Sequence, residues 1–313
     1  MHCTSKVIWL IVALMSTSTN FFPVAVVTGQ QEEAVTVKES MDVLGRRFVT
    51  DKVTFHHYEY FYPLFLERWR DKPIKMLEIG YLLGCSFKMW EKYFPYGDIY
   101  AIEKDSAHDK NPPKNLINGV DQSDVNHLEK VLENKKLTRQ LDLIVDDGSH
   151  IPQHQIISFE YLFYNGLKPG GVYIIEDIEM NYWRKGRTYG FLVEYGKESP
   201  ESLMNILKDM VDVVNRHFES PHSQHTSRFG KNIDKMICGI YFGHNAVVVS
   251  KCTKRERRLR DKKYLNLEYV LGNSTTWHDN HRSDGRWVDG EWIRHKTPAG
   301  MRKNKKRSKK VQE

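Results

Sequence analysis

Residues 143–150 read LIVDDGSH: three large apolar residues, two aspartates, a glycine, a serine and a histidine. The apolar run has the makings of a buried strand, and the polar DDGSH after it admits two readings. Asp, Gly and Ser are turn formers, so the segment can be a plain strand end. Alternatively, the strand delivers an acid, a metal ligand or a base to a site. Working outward, short apolar runs alternate with longer amphipathic ones from residue 74 onward: IKMLEIG then CSFKMWEKYF, DIYAIE, NLINGV then SDVNHLEKVLENK, LDLIVDD then PQHQIISFEYLFYN, and GVYIIED. Strands alternating with helical stretches imply crossover units and a parallel sheet covered on both faces. Such sheets carry their sites at the carboxyl ends of the strands, where LIVDDGSH ends. A helix is expected from Pro200 to Phe218, with Ser199 as its cap and Glu201 in its first turn. KMICGIYFG and AVVVSKC flank His244-Asn245, and so short a connection demands an antiparallel pair. The expected architecture is α/β, a mostly parallel sheet with an antiparallel C-terminal hairpin.

The chain has 313 residues, of which 40% are hydrophobic, enough for one large domain with additions. Its net charge of +7 is unevenly distributed. Residues 251–264 and 301–313 contribute +6 each, which leaves the remainder about −5. A basic patch and a basic tail are therefore expected, without a basic groove through the fold, and nucleic acid is not an expected partner. The amino terminus is apolar from Val7 to Met15, the length of a signal-peptide core and too short to span a bilayer, which takes roughly 20 residues. If Val7–Val27 acts as one span, it is a signal anchor, the only membrane contact expected. Either kind of leader would take the chain into the secretory pathway, placing it in the Golgi or ER lumen or outside the cell; the other reading of the segment is a buried structural helix. The sequon Asn273-Ser274-Thr275 is compatible with that route. Of four cysteines, Cys238 and Cys252 flank the expected hairpin. They either pair in an oxidising lumen or stay as two buried thiols. The chain divides into a leader (1–29), a helical extension (30–70), a central domain (71–252), a C-terminal extension (253–300) and the tail (301–313).

LEIGYLLGCS sets Glu78, Gly80 and Gly84 between the first strand and a helix. Glycines there admit close backbone approach to a ligand, and the helix start offers unsatisfied N–H groups. G-x-G-x-x-G, the dinucleotide fingerprint, is missing. Glu103 closes the second strand, where a carboxylate grips ribose hydroxyls. Asp121 and Gln122 come after the third strand and can hydrogen-bond an adenine edge. Each acid alone reads equally as a solvated loop charge; together these residues make a site for adenosine without a pyrophosphate.

From TDKVTFHHYEYFY (50–62) through LEIGYLLGCSFKMW, IYAIEKD and GVDQSD to DDGSHIPQHQIISFEYLF and LKPGGVYIIEDIEMNYW, the chain resembles the class I S-adenosylmethionine-dependent methyltransferases. Within them it resembles the metal-dependent sugar O-methyltransferases of macrolide biosynthesis and their cephalosporin hydroxylase-like relatives. The resemblance covers roughly residues 45–250, and its specific part is the pairing of DDGSH with IED. It implies the Rossmann-like doubly wound sheet of class I methyltransferases, S-adenosyl-L-methionine as cofactor, a sugar or glycan acceptor and a homo-oligomeric assembly. Two departures stand out: Tyr81-Leu82-Leu83 replaces the usual central glycine, and the ribose acid is Glu103 where aspartate is more frequent.

Asp147, Glu176 and Asp177 close adjacent strands and offer only oxygen, a hard donor set suited to Mg²⁺ or Mn²⁺. The resemblance assigns them to magnesium. A divalent ion acidifies a sugar hydroxyl as it does water. His150 can take the released proton, since an imidazole titrates near neutrality. By resemblance it is the general base of methyl transfer. Asp146 is assigned to the cofactor side or to orienting the loop. His56, His57 and Tyr58 can cover the cofactor's methionine end, although an aromatic stretch like FHHYEYFY reads first as helix core. Two rivals remain. An oxidoreductase would want two histidines and one carboxylate on iron. A binding protein on an inactive methyltransferase fold would keep the strands without the chemistry.

Overall fold

The apolar runs KMLEI and LDLIVD become the two central strands of a seven-stranded sheet. In the computed structural model, residues 38–105, 111–188, 191–216, 225–261, 285–288 and 291–294 are described. The expected leader, the sequon and the basic tail lie outside the described residues. The chain divides into two units after Lys38, and the helices and strands of the described residues belong to the second.

Three short helices come first: α1 (Met41–Phe48), α2 (Asp51–Thr54) and α3 (Tyr62–Leu66). Ser40 caps α1 by accepting from the Val43 N–H at 3.3 Å. Next along the chain are β1 (Lys75–Ile79), α4 (Cys85–Tyr93), β2 (Asp98–Glu103), β3 (Leu116–Asn118), α5 (Val125–Asn134), β4 (Leu141–Asp146), α6 (Pro152–Asn165) and β5 (Leu167–Glu176). Asp124 caps α5, and Pro152 opens α6 at a position where its missing N–H has no helical partner to lose. A small hairpin, β6 (Gly186–Thr188) and β7 (Phe191–Val193), precedes α7 (Leu203–Asn215) and α8 (Gly230–Asp234). β8 (Ile237–Phe242), β9 (Ala246–Lys251), α9 (Lys254–Asp261) and a hairpin of β10 (Gly285–Val288) and β11 (Glu291–Arg294) complete the order. Trp287 and Trp292 sit opposite each other in that last hairpin.

The strand order is β3-β2-β1-β4-β5-β9-β8, parallel from β3 to β5 and antiparallel at β9 and β8. This is the expected sheet. The order reverses direction between β1 and β4, the position where such folds open a crevice at the strands' carboxyl ends. Alternation along the strands feeds two cores. Leu77, Ile79 and Ile144 face α5, α6 and α7, while Met76, Leu143 and Val145 face α4 and the amino-terminal helices. Every residue of β4 is buried.

The helix expected from Pro200 to Phe218 is shorter at both ends and stops at Asn215. The helix starts at Leu203, later than Pro200, because Ser202 is the cap, accepting from the Asn205 N–H at 3.3 Å. Ser199 instead accepts from the Glu201 N–H in the preceding turn. Cys238 and Cys252 are joined in a disulfide across the β8–β9 hairpin, with Cα atoms 4.8 Å apart. Among the described residues, no helix is long and apolar enough to cross a membrane.

Candidate active site

The carboxyl ends of β1 and β4 touch because Gly80 lets them. Gly80 has φ +93°, and a Cβ there would lie 2.1 Å from the Asp147 carbonyl oxygen. Beside this contact opens a cavity of about 680 Å³, within the usual range for small-molecule sites. Glu103 and Asp121 line one end of it, and Asp147, His150 and Asp177 line the other.

At the first end, the expected cofactor residues divide into those that face the cavity and those that build its wall. Glu103 accepts from the backbone N–H groups of Tyr81 and Leu82 at 3.0 Å each, and from Lys104 at 2.8 Å. Burial alone would raise its carboxyl, but these donors outweigh burial and hold it below the usual range. Asp121 sits against Lys104 Nζ at 2.8 Å and the Ser123 hydroxyl at 2.6 Å. Here too burial is outweighed, and the carboxyl is lowered. Gln122 lines the cavity, yet its amide is committed inside the protein. Its NH₂ donates to Asp146 Oδ1 at 3.0 Å, and its oxygen accepts from the Ser149 N–H at 2.7 Å. It therefore props the DDGSH turn, where the sequence suggested a contact to an adenine edge. Asp146 and Glu78 are fully buried and lie behind the cavity wall. Asp146 anchors Gln122, Ser158 and Tyr173. Glu78 accepts from Trp90 Nε1 at 3.0 Å, and burial pushes its carboxyl up to about 7. Gly84 takes φ +69°, with the Tyr81 ring where its Cβ would be.

At the second end, one ligand atom from each of Asp147, His150 and Asp177 lies within 4.8 Å of the others, a group able to hold a metal ion. His150 Nε2 is 3.8 Å from Asp177 Oδ2, while its Nδ1 is buried with no hydrogen-bond partner. His150, Asp177 and Asn245 all hold left-handed backbone, with φ of 57°, 51° and 55°. For His and Asp that conformation is uncommon, and such residues cluster at functional sites. Asp177 Oδ1 accepts from the Tyr58 hydroxyl at 2.6 Å and from Asn245 Nδ2 at 3.1 Å, with His56 Nε2 3.5 Å away. Burial and the charge of Asp147 raise the Asp177 carboxyl.

Glu176, expected as a third metal ligand, is drawn to a different partner. It is 1% exposed, its Oε1 accepts from the Tyr62 hydroxyl, and its Oε2 lies 2.6 Å from Lys52 Nζ. The same ammonium donates to Asp147 Oδ2 and stands 3.6 Å from Glu78 Oε1. Lys52 is itself 1% exposed. Burial would lower its pKa, but the three carboxylates outweigh burial and keep it an ammonium.

Sequence reasoning missed Lys52, Tyr62 and Asn245, and it set His56 and Tyr58 aside. Tyr58 shows why: it is fully buried core, stacked on Tyr62, and also a hydrogen-bond donor to Asp177. The available signal was the resemblance, which already ran through TDKVTFHHYEYFY ahead of the first strand.

No protein-family model matches the chain. It is 30% identical, over 68% of its length, to the mycinamicin VI 2''-O-methyltransferase of Micromonospora griseorubida, covering 53% of that protein. It is 29% identical, over 70% of its length, to the demethylmacrocin O-methyltransferase of Streptomyces fradiae, covering 55% of that protein. Among solved structures, the MycE methyltransferase of the mycinamycin pathway, in complex with Mg, SAH and mycinamycin VI, superposes with a TM-score of 0.58. The identity there is 29%, over 69% of this chain and 54% of that one. The chain spans about half the length of the curated relatives it matches.

Proposed function

We propose, on the premise that this chain is a relative of the macrolide sugar O-methyltransferases and shares their class I fold, that it transfers a methyl group from S-adenosyl-L-methionine to a sugar hydroxyl with the help of a divalent metal. The observation that carries the reading is the cavity joining a Glu103–Asp121 end to an Asp147–His150–Asp177 end.

The residues present fit both groups. The clustered carboxylate oxygens of Asp147 and Asp177, with the His150 imidazole beside them, fit a hard divalent cation, Mg²⁺ or Mn²⁺. Asp147 and Asp177 would hold the ion, with Glu176 close behind through Lys52. When bound, the ion would supply Lewis acidity that favours loss of the acceptor's hydroxyl proton. His150 takes that proton at an imidazole nitrogen, which Asp177 keeps facing the centre. Asp121 and the backbone around Glu103 and Leu82 orient the cofactor's nucleoside at the other end. With two carboxylates and one imidazole, the group is richer in oxygen than the two-histidine, one-carboxylate iron sites of an oxidoreductase.

The acceptor is a glycan met in the secretory pathway. What supports this setting is the apolar leader together with the Cys238–Cys252 disulfide, since such bonds persist in oxidising compartments. Homo-oligomeric assembly rests on the resemblance alone and is read directly by mass determination in solution.

The test is calorimetric titration of the purified protein with S-adenosylmethionine or its demethylated product, with Mg²⁺, Mn²⁺ or EDTA present. Saturable cofactor binding is expected, and then a one-methylene mass gain on a screened glycan that EDTA abolishes. Well-folded protein that binds no cofactor under any of these conditions would leave the inactive binding protein as the reading.

A further inference from the structure

A lysine in the middle of an acid cluster is a cation already in residence where another is expected. Lys52 reaches the centre from α2, before the first strand of the sheet, and touches carboxylates 95 and 124 residues further along. Its ammonium takes one oxygen of Asp147 and one of Glu176, while Tyr62 takes the other oxygen of Glu176. Asp147 is shared, because it also belongs to the group with His150 and Asp177. At 1% exposure, neither solvent nor salt screens the Lys52 charge effectively. The stem is enclosed as well, so the ammonium is held where it stands.

We propose that Lys52 is a positioning residue and built-in counter-cation: it competes with the divalent ion for Asp147 and Glu176 and so sets the metal affinity of the centre. The inference rests on the metal-dependent reading of this site. Without Lys52 the carboxylates would face only the divalent ion, and they would bind it tightly and release it slowly. With Lys52, Glu176 is neutralised and turned toward Tyr62, and the ion is left to Asp147 and Asp177 beside His150. The lysine thus weakens binding while fixing which oxygens face the acceptor.

Mn²⁺ binding to the full chain is measured by calorimetry at about pH 8, where protons compete least for the carboxylates. The proteins compared are wild type, Lys52→Met, Lys52→Gln, Lys52→Arg and Asp147→Asn. Removing a unit charge this close to the ion is expected to tighten Mn²⁺ binding by ~10-fold or more in Lys52→Met and Lys52→Gln. Lys52→Arg keeps the charge and should return toward the wild-type affinity. Equal or weaker binding in both neutral variants, once folded, overturns the proposal, because a merely structural lysine has no route to tighter binding. If a neutral variant folds only with Mn²⁺ present, that supports it; if neither neutral variant folds with or without the ion, Lys52 is a structural prop and the proposal fails. Wild type that binds no Mn²⁺ defeats the metal reading itself, and Asp147→Asn that binds as wild type misplaces the site. Both outcomes are distinct from failure at Lys52.

Discussion

His150 has two chemistries open to it, and geometry alone gives it the position for both. It stands within reach of Asp147 and Asp177 as a ligand would, and it faces the cavity as a base would. The two roles separate on substitution. As base, His150→Ala keeps Mn²⁺ affinity within a few-fold and lowers methyl transfer by roughly 10²–10⁴-fold, the usual worth of a positioned general base. Parallel metal titration and turnover assays check this, and loss of metal binding along with turnover would make it a ligand. The left-handed backbone at His150 and Asp177 belongs to the same picture. Each is held there by neighbours, through the Gln122 prop under Ser149 and through Tyr58 and Asn245 on Asp177.

At the scale of elements, the strands were legible because each is an apolar run bounded by turn residues, and LDLIVD could be placed nowhere but in a buried strand. Their carboxyl-end acids were legible for the same reason, since topology alone says where a strand end points. The cap of α7 was not, because Ser199 and Ser202 present the same side chain and only the folded turn chooses between them. Lys52 was illegible for a deeper reason. In TDKVT it reads as a solvated helix charge, and its burial is created by carboxylates that arrive from β1, β4 and β5. The pairing of Cys238 with Cys252 was left open by spacing and is closed by the hairpin. The ring it makes spans 14 residues of separation, and a loop of that size contributes about 3 kcal/mol by limiting the unfolded chain. Replacing both cysteines with serine is expected to lower the unfolding free energy by about 2–4 kcal/mol in denaturant titration. An unchanged midpoint would show that the bond does not stabilise the fold.

For the molecule as a whole, charge is sorted by location. β9 runs antiparallel to β5, so the basic helix α9 leaves the sheet at the edge opposite the cavity, while the acids gather at the cavity edge. Glu103 and Asp121 have folded pKa values below their unfolded ones, about 4.3 and 3.9 in model peptides. Each therefore adds stability that is fully present above those values and is lost as pH falls through the folded ones. Asp121→Asn is expected to flatten the drop in unfolding temperature below about pH 4, more at low salt because the Lys104 pair is partly exposed. An identical acid limb in the variant would remove Asp121 from the account. The amino-terminal helices carry one more consequence, and it concerns time. Tyr58 waits for Asn245, 187 residues downstream, before its hydroxyl has both of its partners. During synthesis the parallel strands can pair as they emerge, but the acid centre stays open until the β8–β9 hairpin has been made. Competence is thus acquired late and all at once: the parallel strands of a nascent chain are in place while the centre beside them is still unfinished.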